Sequence, residues 1–399
     1  MKNGVIIIGS GHAGGIAAIT LRQNKYMGPI LIVGKEEYYP YQRPALSKGY
    51  LLDKINENSL YLKTSSWYKK QNINLILNNP VKKIQREKKI VILDDGKEYK
   101  YDQIIIATGS SLKKIQLSCS KSNIHYLRTL DDALKIKNTL NDVQNIVIIG
   151  AGYIGLEIAS SAIKKYKNVT VIEMGTRVMG RSISEETSLF LQKKHEINGV
   201  NFLFNASVAD ITDYKKQKRI TYTGGKTMNT DCVILGLGVK PNIEVAVNAG
   251  LECENGIIVD ENGLTSDQYI YAAGDCTNHP NDLLNKRIRL ESVHNAVEQA
   301  KSVASSIAGN QKPYHQVPWF WSEQYDLKIQ IAGISEMYDD IVITGNKKSE
   351  SFSVFHFKKR KLISVEAINN QKGFLVGKRL IKQGTENAKN IIQNIDQPK

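Results

Sequence analysis

A run of branched apolar residues emptying into a spaced glycine triplet occurs twice in this 399-residue chain, and nothing else in it restricts the fold as strongly. The first copy is Val5-Ile6-Ile7-Ile8-Gly9-Ser10-Gly11-His12-Ala13-Gly14; the second is Ile146-Val147-Ile148-Ile149-Gly150-Ala151-Gly152-Tyr153-Ile154-Gly155. Unbroken aliphatic runs of this kind suit strands buried on both faces. The Gly-x-Gly-x-x-Gly after each run permits a tight turn at Gly9 and Gly150. It bares the backbone to a pyrophosphate at Gly11 and Gly152, and lets helix and strand pack closely at Gly14 and Gly155. A helix starting there turns unpaired N–H groups and a positive dipole end toward the phosphates. One copy alone is a weak signal; two, each in a strand-to-helix context, imply two dinucleotides.

The length exceeds one ordinary core, so two or three domains are expected. Hydrophobic residues at 41% and charged residues at 23% are globular values and exclude a disordered chain. The outlier is the net charge, +15 from 54 Lys plus Arg against 39 Asp plus Glu. Such a surface attracts nucleic acid, anionic lipid or an acidic protein. Equally, the charge can be scattered over solvated faces, since no block of five like charges occurs; the densest run, Lys358-Lys359-Arg360-Lys361, falls between two strand-like stretches, as a hairpin tip would. The cysteines, Cys119, Cys232, Cys253 and Cys276, form no Cys-x-x-Cys, and the histidines show no ligand spacing. No metal site, no disulfide framework and a reducing, cytoplasmic setting are therefore expected. Residues 5–8 are too short for the core of a secretion signal. Residues 146–163 look most like a membrane span but carry glycines and Glu157, so no span is expected.

Along the chain, residues 16–21 continue the first helix and residues 30–33 form the second strand of its unit. A ribose-binding carboxylate is expected near that strand's end; the sequence there is Gly34-Lys35-Glu36-Glu37, which makes Glu36 the better candidate. Tyr41-Gln42-Arg43-Pro44-Ala45-Leu46-Ser47-Lys48 reads as a surface loop with two cations. Residues 73–91 are strand material that includes Val81 and ends in the turn Asp94-Asp95-Gly96. A strand then closes in Ala107-Thr108-Gly109, whose small residues let a second backbone segment lie against a bound dinucleotide. Asp131-Asp132 should begin a helix with an acidic cap. After the second glycine triplet, the strand at 169–173 ends in Glu173, where an acid binds the adenosine ribose of NAD and repels a 2′-phosphate. Arg177 is near, but Met174, Gly175 and Thr176 intervene, which favours NADH over NADPH. Residues 233–241, with Gly238, return the chain to its first domain. Ala272-Ala273-Gly274-Asp275 repeats the small-residue pattern, with helix N-capping as the simpler role for Asp275. Residues 289–296 lead into a long helix through 307. From 318 the texture changes to short strands at 327–332, 341–344, 352–357 and 362–368 and helices near 374–382 and 387–395, an α+β domain.

Two glycine triplets, Ala-Thr-Gly and Ala-Gly-Asp in this order resemble the two-dinucleotide flavoprotein oxidoreductases of glutathione-reductase-like fold. Three further stretches, residues 41–48, Arg289-Leu290-Glu291-Ser292-Val293-His294-Asn295-Ala296 and Pro318-Trp319-Phe320-Trp321-Ser322-Glu323-Gln324-Tyr325, are similar to the FAD-dependent NADH:ferredoxin reductases of oxygenase systems. The resemblance runs from residue 4 to about 380. It implies an α/β chain with two Rossmann-like domains and a C-terminal α+β domain. FAD would be held by residues 1–114 and 238–317, NADH by 115–237, and 318–399 would form the third domain. It implies FAD contacts at Ala13, Lys48, Val81, Arg128, Asp275 and Val293, beside the glycine cradle, Arg43, Thr108, Gly109 and Gly274, with Trp321 near the flavin ring. It further implies that Lys48 pairs with Glu157 beside the flavin N5, and that electrons pass to a small acidic [2Fe–2S] ferredoxin or to a rubredoxin. In that family the adenosine-ribose acid directly follows Val-Gly, and here that position is Lys35. Redox-cysteine disulfide reductases are disfavoured because residues 38–50 hold no cysteine. A flavoprotein resembling apoptosis-inducing factor, binding nucleic acid through its basic surface, rests on charge alone. Monomer and homodimer are both open.

Overall fold

The computed structural model describes residues 3–117, 119–336 and 338–395. Its contacts divide the chain into two compact units.

The first unit comprises Met1–Gln42, Glu57–Ser111 and Val239–Pro318. Its centre is a parallel sheet of strands Ile270–Ala272, Gln103–Ile106, Val5–Ile8, Ile30–Val33 and Ile73–Ile76, in that order. Val5–Ile8 is the middle strand and is buried throughout, as its unalternating sequence requires. Helices His12–Gln23 and Val293–Ile307 bury Ala17, Ala18, Leu21, Ala300, Val303 and Ala304 in one core with Ile7, Ile32 and Ile105. Antiparallel strands Val81–Gln85, Ile90–Leu93 and Glu98–Lys100 add a small second sheet, with Gly96 in the left-handed region (φ 84°) at its expected turn.

The second unit comprises Arg43–Asn56, Leu112–Gly238 and Trp319–Lys399. Its parallel sheet runs Val200–Leu203, Asn168–Ile172, Asn145–Ile149, Cys232–Leu235, Ile124–His125. It repeats the first sheet in detail. In both, the glycine turn is tied to the neighbouring strand's end, Gly9 N–H to Val33 O and Gly150 N–H to Ile172 O, each at 2.8 Å. The C-terminal part is an antiparallel sheet ordered Trp319–Gln324, Leu327–Gly333, Lys361–Ile368, Ser351–Lys358, Asp340–Asn346, with helices Gln371–Gln383 and Ala388–Gln393. The basic run is its hairpin tip, with Lys359 and Arg360 at φ 47° and 66°.

One sequence expectation is corrected, at Asp275, and three are refined. The helix Leu130–Asp142 begins one residue before Asp131, and its acidic cap is shared with a hydroxyl: the Thr129 hydroxyl accepts from Asp132 N–H and the Asp132 carboxylate accepts from Thr129 N–H. Asp275 begins no helix; the chain turns there into strand Thr277–Asn281, and the long helix starts at Val293 with Ser292 as its cap. Residues 41–48 are not a solvated loop: Leu46 and Ser47 are buried around a short 3-10 turn at Arg43–Ala45. Trp319–Gln324 is itself a strand. Elements without a motif also went unread: helices Ser65–Lys70 and Glu185–Ile197 and the antiparallel strands Val208–Tyr214, Gln217–Tyr222 and Lys226–Thr230.

Candidate functional site

The two glycine turns are built alike from sterics. A Cβ at Gly9 (φ 118°) would run into the Ala107 carbonyl oxygen, and one at Gly150 (φ 104°) would sit 2.5 Å from Gly236 O. At Gly14 and Gly155 a Cβ would strike the carbonyl of the turn's own first glycine, Gly9 or Gly150. At Gly11 and Gly152, by contrast, a Cβ would meet nothing within 4 Å. The turn is therefore closed to side chains where it folds and open where a ligand would lie. The helices His12–Gln23 and Tyr153–Lys164 both start from these glycines with no side-chain cap, which leaves their first N–H groups directed outward.

In the first unit the other predicted residues assemble around that turn. Gly274 (φ 90°) is so close that a Cβ there would lie 3.2 Å from Ala13 Cβ and 3.7 Å from Ala296 Cβ. Its N–H donates to Gln299 Oε1 at 2.8 Å. Asp275 accepts from the Ser110 hydroxyl at 2.8 Å. Thr108 Oγ1 donates to Asn242 O at 2.7 Å and the Asn242 amide returns to Thr108 O at 2.9 Å, locking the Ala-Thr-Gly segment beside Gly109 (φ 66°). Val81 opens its strand and Val293 its helix, both half-buried. Lys35 is exposed, whereas Glu36 is half-buried and accepts from the Tyr41 hydroxyl at 2.6 Å. Cys276 is fully buried, 3.5 Å from Ala273 O, and burial pushes its thiol up, the opposite of a redox thiolate.

In the second unit the geometry concentrates on one carboxylate. Glu157 stands on the glycine-turn helix, only 3% exposed. Lys48 Nζ lies 2.8 Å from its Oε2, with the lysine side chain 15% exposed. The Ser47 hydroxyl also donates to Oε2. On the other side the Ser322 hydroxyl donates to Oε1 at 2.6 Å. Lys48 is further fixed by donating to Pro44 O at 3.0 Å, and Ser161 Oγ anchors the Ser47 carbonyl at 2.8 Å. An ion pair this buried persists only when the remaining lone pairs are satisfied, and here both carboxylate oxygens are. Ser47 and Ser322 were not singled out from the sequence, although each lies inside a quoted stretch, next to Lys48 and Trp321.

Glu173 accepts from Ala151 N–H and Gly175 N–H, both at 2.7 Å, so the acid is bound to the glycine turn itself. Arg177 is spent elsewhere: its guanidinium donates to Ile183 O at 2.9 Å and Gly180 O at 2.9 Å. A groove lined by Phe202, Phe204, Asn205, Tyr222 and Lys226 lies beside this acid, whose backbone pairs with Leu203 and Ala206. Gly238 takes φ 80° and its carbonyl accepts from Lys113 N–H at 3.0 Å. Arg43 donates to the Arg128 carbonyl at 2.7 Å, which joins two predicted residues directly. Trp321 is half-buried in its strand, 5.3 Å from the Trp319 ring. Among the described residues no helix is long and apolar enough to cross a membrane, and no group of three His, Cys, Asp or Glu could hold a metal ion.

Comparison with known proteins gives the family. The family model "Pyridine nucleotide-disulphide oxidoreductase" matches residues 3–300, and "Reductase C-terminal" matches 319–398. Rhodocoxin reductase of Rhodococcus erythropolis is 38% identical over 94% of this chain and 89% of its own length. A rubredoxin-NAD(+) reductase of Ectopseudomonas oleovorans is 37% identical over 94% and 98%. The covalent putidaredoxin reductase–putidaredoxin complex superposes with a TM-score of 0.93 at 34% identity over the full length of both chains. On sequence, fold and cradle geometry together, the chain belongs to the pyridine nucleotide-disulphide oxidoreductase family and carries that family's reductase-type C-terminal region.

Proposed function

We propose that this protein is a flavoprotein oxidoreductase that passes electrons from NADH through FAD to a [2Fe–2S] ferredoxin-type acceptor, as the reductase component of an oxygenase system. The observation that carries this is the Lys48–Glu157 pair, held by Ser47 and Ser322 on the helix of the second glycine turn. The names of the relatives support the acceptor class; rubredoxin is the second reading, favoured by the rubredoxin reductase relative.

Both cradles fit their groups, being open to a ligand only at Gly11 and Gly152. FAD, when bound, supplies the chemistry that accepts two electrons from a nicotinamide and releases them singly. Gly9, Gly11, Ala13, Gly14, Thr108, Gly109, Gly274 and Asp275 hold it, joined by Arg43, Val81, Arg128, Val293 and Trp321, with Glu36 or Lys35 at its ribose. Gly150, Gly152, Gly155, Glu173 and Gly238 hold NADH, and the Phe202–Phe204 groove receives its adenosine end. Lys48 presents a cation where negative charge collects, and Glu157 fixes its direction. The reading takes 1–114 with 238–317 as the FAD-binding domain, 115–237 as the NAD-binding domain and 318–399 as the C-terminal domain. The net charge of +15 would draw in an acidic partner. All the cysteines are free, as suits a reducing cytoplasm.

Cytochrome c reduction by NADH, measured with and without a [2Fe–2S] ferredoxin at low salt, tests the reading. Ferredoxin should stimulate the rate, and added salt should diminish the stimulation; no stimulation at low salt overturns it. Lys48→Ala should slow flavin reduction by NADH roughly ten- to hundredfold in single turnovers, the scale of a misplaced reacting group. An unchanged rate removes Lys48 from the chemistry.

A further inference from the structure

Beyond Ser322, the hydrogen bonds that reach Glu157 continue inward to a histidine the proposed chemistry does not use. Gln324 Nε2 lies 3.2 Å from Ser322 Oγ, Gln324 Oε1 lies 2.8 Å from His195 Nε2, and the Tyr325 hydroxyl lies 3.0 Å from His195 Nδ1. His195 is on helix Glu185–Ile197 and 0% exposed; Ser322 and Gln324 are buried as well. Every member belongs to the second unit.

The proton positions are set from the carboxylate outward. Glu157, paired with Lys48, can only accept, so Ser322 spends its one hydroxyl proton on it. Ser322 Oγ must then accept from Gln324, which turns the amide nitrogen toward the serine and leaves only Oε1 for the ring. His195 therefore carries its proton on Nε2, and Nδ1 accepts from Tyr325. Each bond in the run points the same way, toward Glu157. Burial holds the imidazole down to about 4, so it stays neutral and keeps this pattern across the physiological range.

Tyr325 shows what the chain spends to keep the run in place. It is the first residue of the two-residue turn between Gln324 and Leu327 and sits at φ 57°, unfavourable for a bulky side chain. Ser160 Oγ receives its N–H at 2.7 Å and Lys164 Nζ donates to its carbonyl at 2.7 Å, both from the helix that carries Glu157. The turn thus ties the two ends of the run to one helix.

We propose that His195 is a positioning residue for the Lys48–Glu157 pair, its neutral ring orienting Gln324 and through it the Ser322 hydroxyl, so that Glu157 stays ionised and aimed at Lys48. This rests on reading that pair as the site of NADH oxidation. Without the ring, Gln324 loses the donor that fixes its amide, Ser322 loses its direction, and Glu157 loses a bond that favours its charged form, so its proton affinity rises. A protonated Glu157 no longer holds the ammonium. Other titratable groups face the run. Tyr153, one turn before Glu157, is a phenol that burial pushes up; Lys194, beside His195, pairs with Asp326 at 2.9 Å and Glu350 at 2.8 Å; Lys164 is engaged by the Tyr325 carbonyl. None of them bonds Glu157.

The test compares His195→Leu with His195→Gln, whose amide N–H can stand where Nε2–H does. The Glu157 carboxylate titration is followed by infrared difference against Glu157→Gln in the full-length protein without NADH, alongside the pH profile of flavin reduction. His195→Leu should raise the titration and the acid limb of the profile together, and His195→Gln should restore both. Equal titrations in all three proteins, or equal shifts in the two variants, overturn the proposal. Should His195→Leu fail to fold, Tyr325→Phe replaces it. The Nδ1 15N signal should then show the loss of its hydrogen-bond donor, with the proton still on Nε2, and the titration should move the same way by less; an unmoved titration overturns the proposal equally. Unaltered protein whose flavin NADH does not reduce would instead overturn the reading of the pair, since the titration needs no NADH.

Discussion

The first and second glycine turns share their hydrogen bond to the neighbouring strand, their left-handed first glycine and their steric closures, but differ in the side chains placed just beyond them. Two residues past its last glycine the first helix has Ile16, while the second has Glu157, the hub of a buried polar cluster. At the strand end the second turn has Glu173, whose two oxygens accept from Ala151 and Gly175 N–H groups, so its acid is already part of the turn. The first turn has exposed Lys35, then Glu36, whose carboxylate is given to Tyr41. The same strand–turn–helix thus carries an apolar residue just past its glycines in one unit and a buried ion pair in the other. The steric part is duplicated and the charged part is not.

The largest test of that difference comes from the duplicated part. In both Gly14→Ala and Gly155→Ala the new methyl group meets a backbone carbonyl, Gly9 O or Gly150 O, which has no rotamer by which to move away. Gly14→Ala should yield protein without bound flavin, read from the visible spectrum after purification. Gly155→Ala should keep its flavin and lose reduction by NADH by at least about a hundredfold. If both variants lost flavin alike, the two turns would not serve separate ligands.

Those glycines were legible in the sequence because their cause is local: three small residues at fixed spacing after an apolar run admit few readings. The Lys48–Glu157 pair came only through family resemblance, because its partners are far apart along the chain, Ser47 by 110 residues and Ser322 by 165. No periodicity marks such convergence. Trp319–Gln324 escaped assignment because three aromatics in a row do not alternate, although as a strand it aims Ser322 and Gln324 to one side. Asp275 looked like a helix cap because Asp before a helix is common; whether a helix forms there is set by the strand pairing of Thr277–Asn281 instead.

Glu173 gives the next effect. Glu173→Ala removes the anchor of Ala151 and Gly175 together with the acid proposed to accept from the ribose, and Arg177, tied to Ile183 and Gly180, is not free to take its place for a 2′-phosphate. The ratio of kcat/KM for NADH over NADPH should fall roughly ten- to hundredfold, the scale of a charge-assisted hydrogen bond, mostly through loss of NADH activity. A ratio that does not move would mean the acid serves the turn and not the coenzyme.

The smallest effect concerns the weak side of the comparison and decides which residue completes the first cradle. Glu36 accepts from the Tyr41 hydroxyl at 2.6 Å, which holds its carboxylate in place, and a carboxylate can accept more than one hydrogen bond. If it fills the role Glu173 fills in the other unit, Glu36→Ala should weaken FAD retention roughly three- to tenfold, measured by the flavin released on dilution, and Tyr41→Phe should weaken it less by freeing the carboxylate's orientation. Lys35→Glu discriminates the alternative. It puts an acid directly after Gly34, where strand Ile30–Val33 ends and where a Cβ on Gly34 would meet Ser10 Oγ of the glycine turn. Tighter retention in Lys35→Glu with no loss in Glu36→Ala would place the ribose at position 35, and would make Glu36 an anchor for Tyr41 alone. Loss in Glu36→Ala with no gain in Lys35→Glu would mean that a carboxylate displaced by one residue does the same work from a different position in the bend that follows strand Ile30–Val33. The two cradles would then differ in the direction from which their acid approaches, and not in whether they have one.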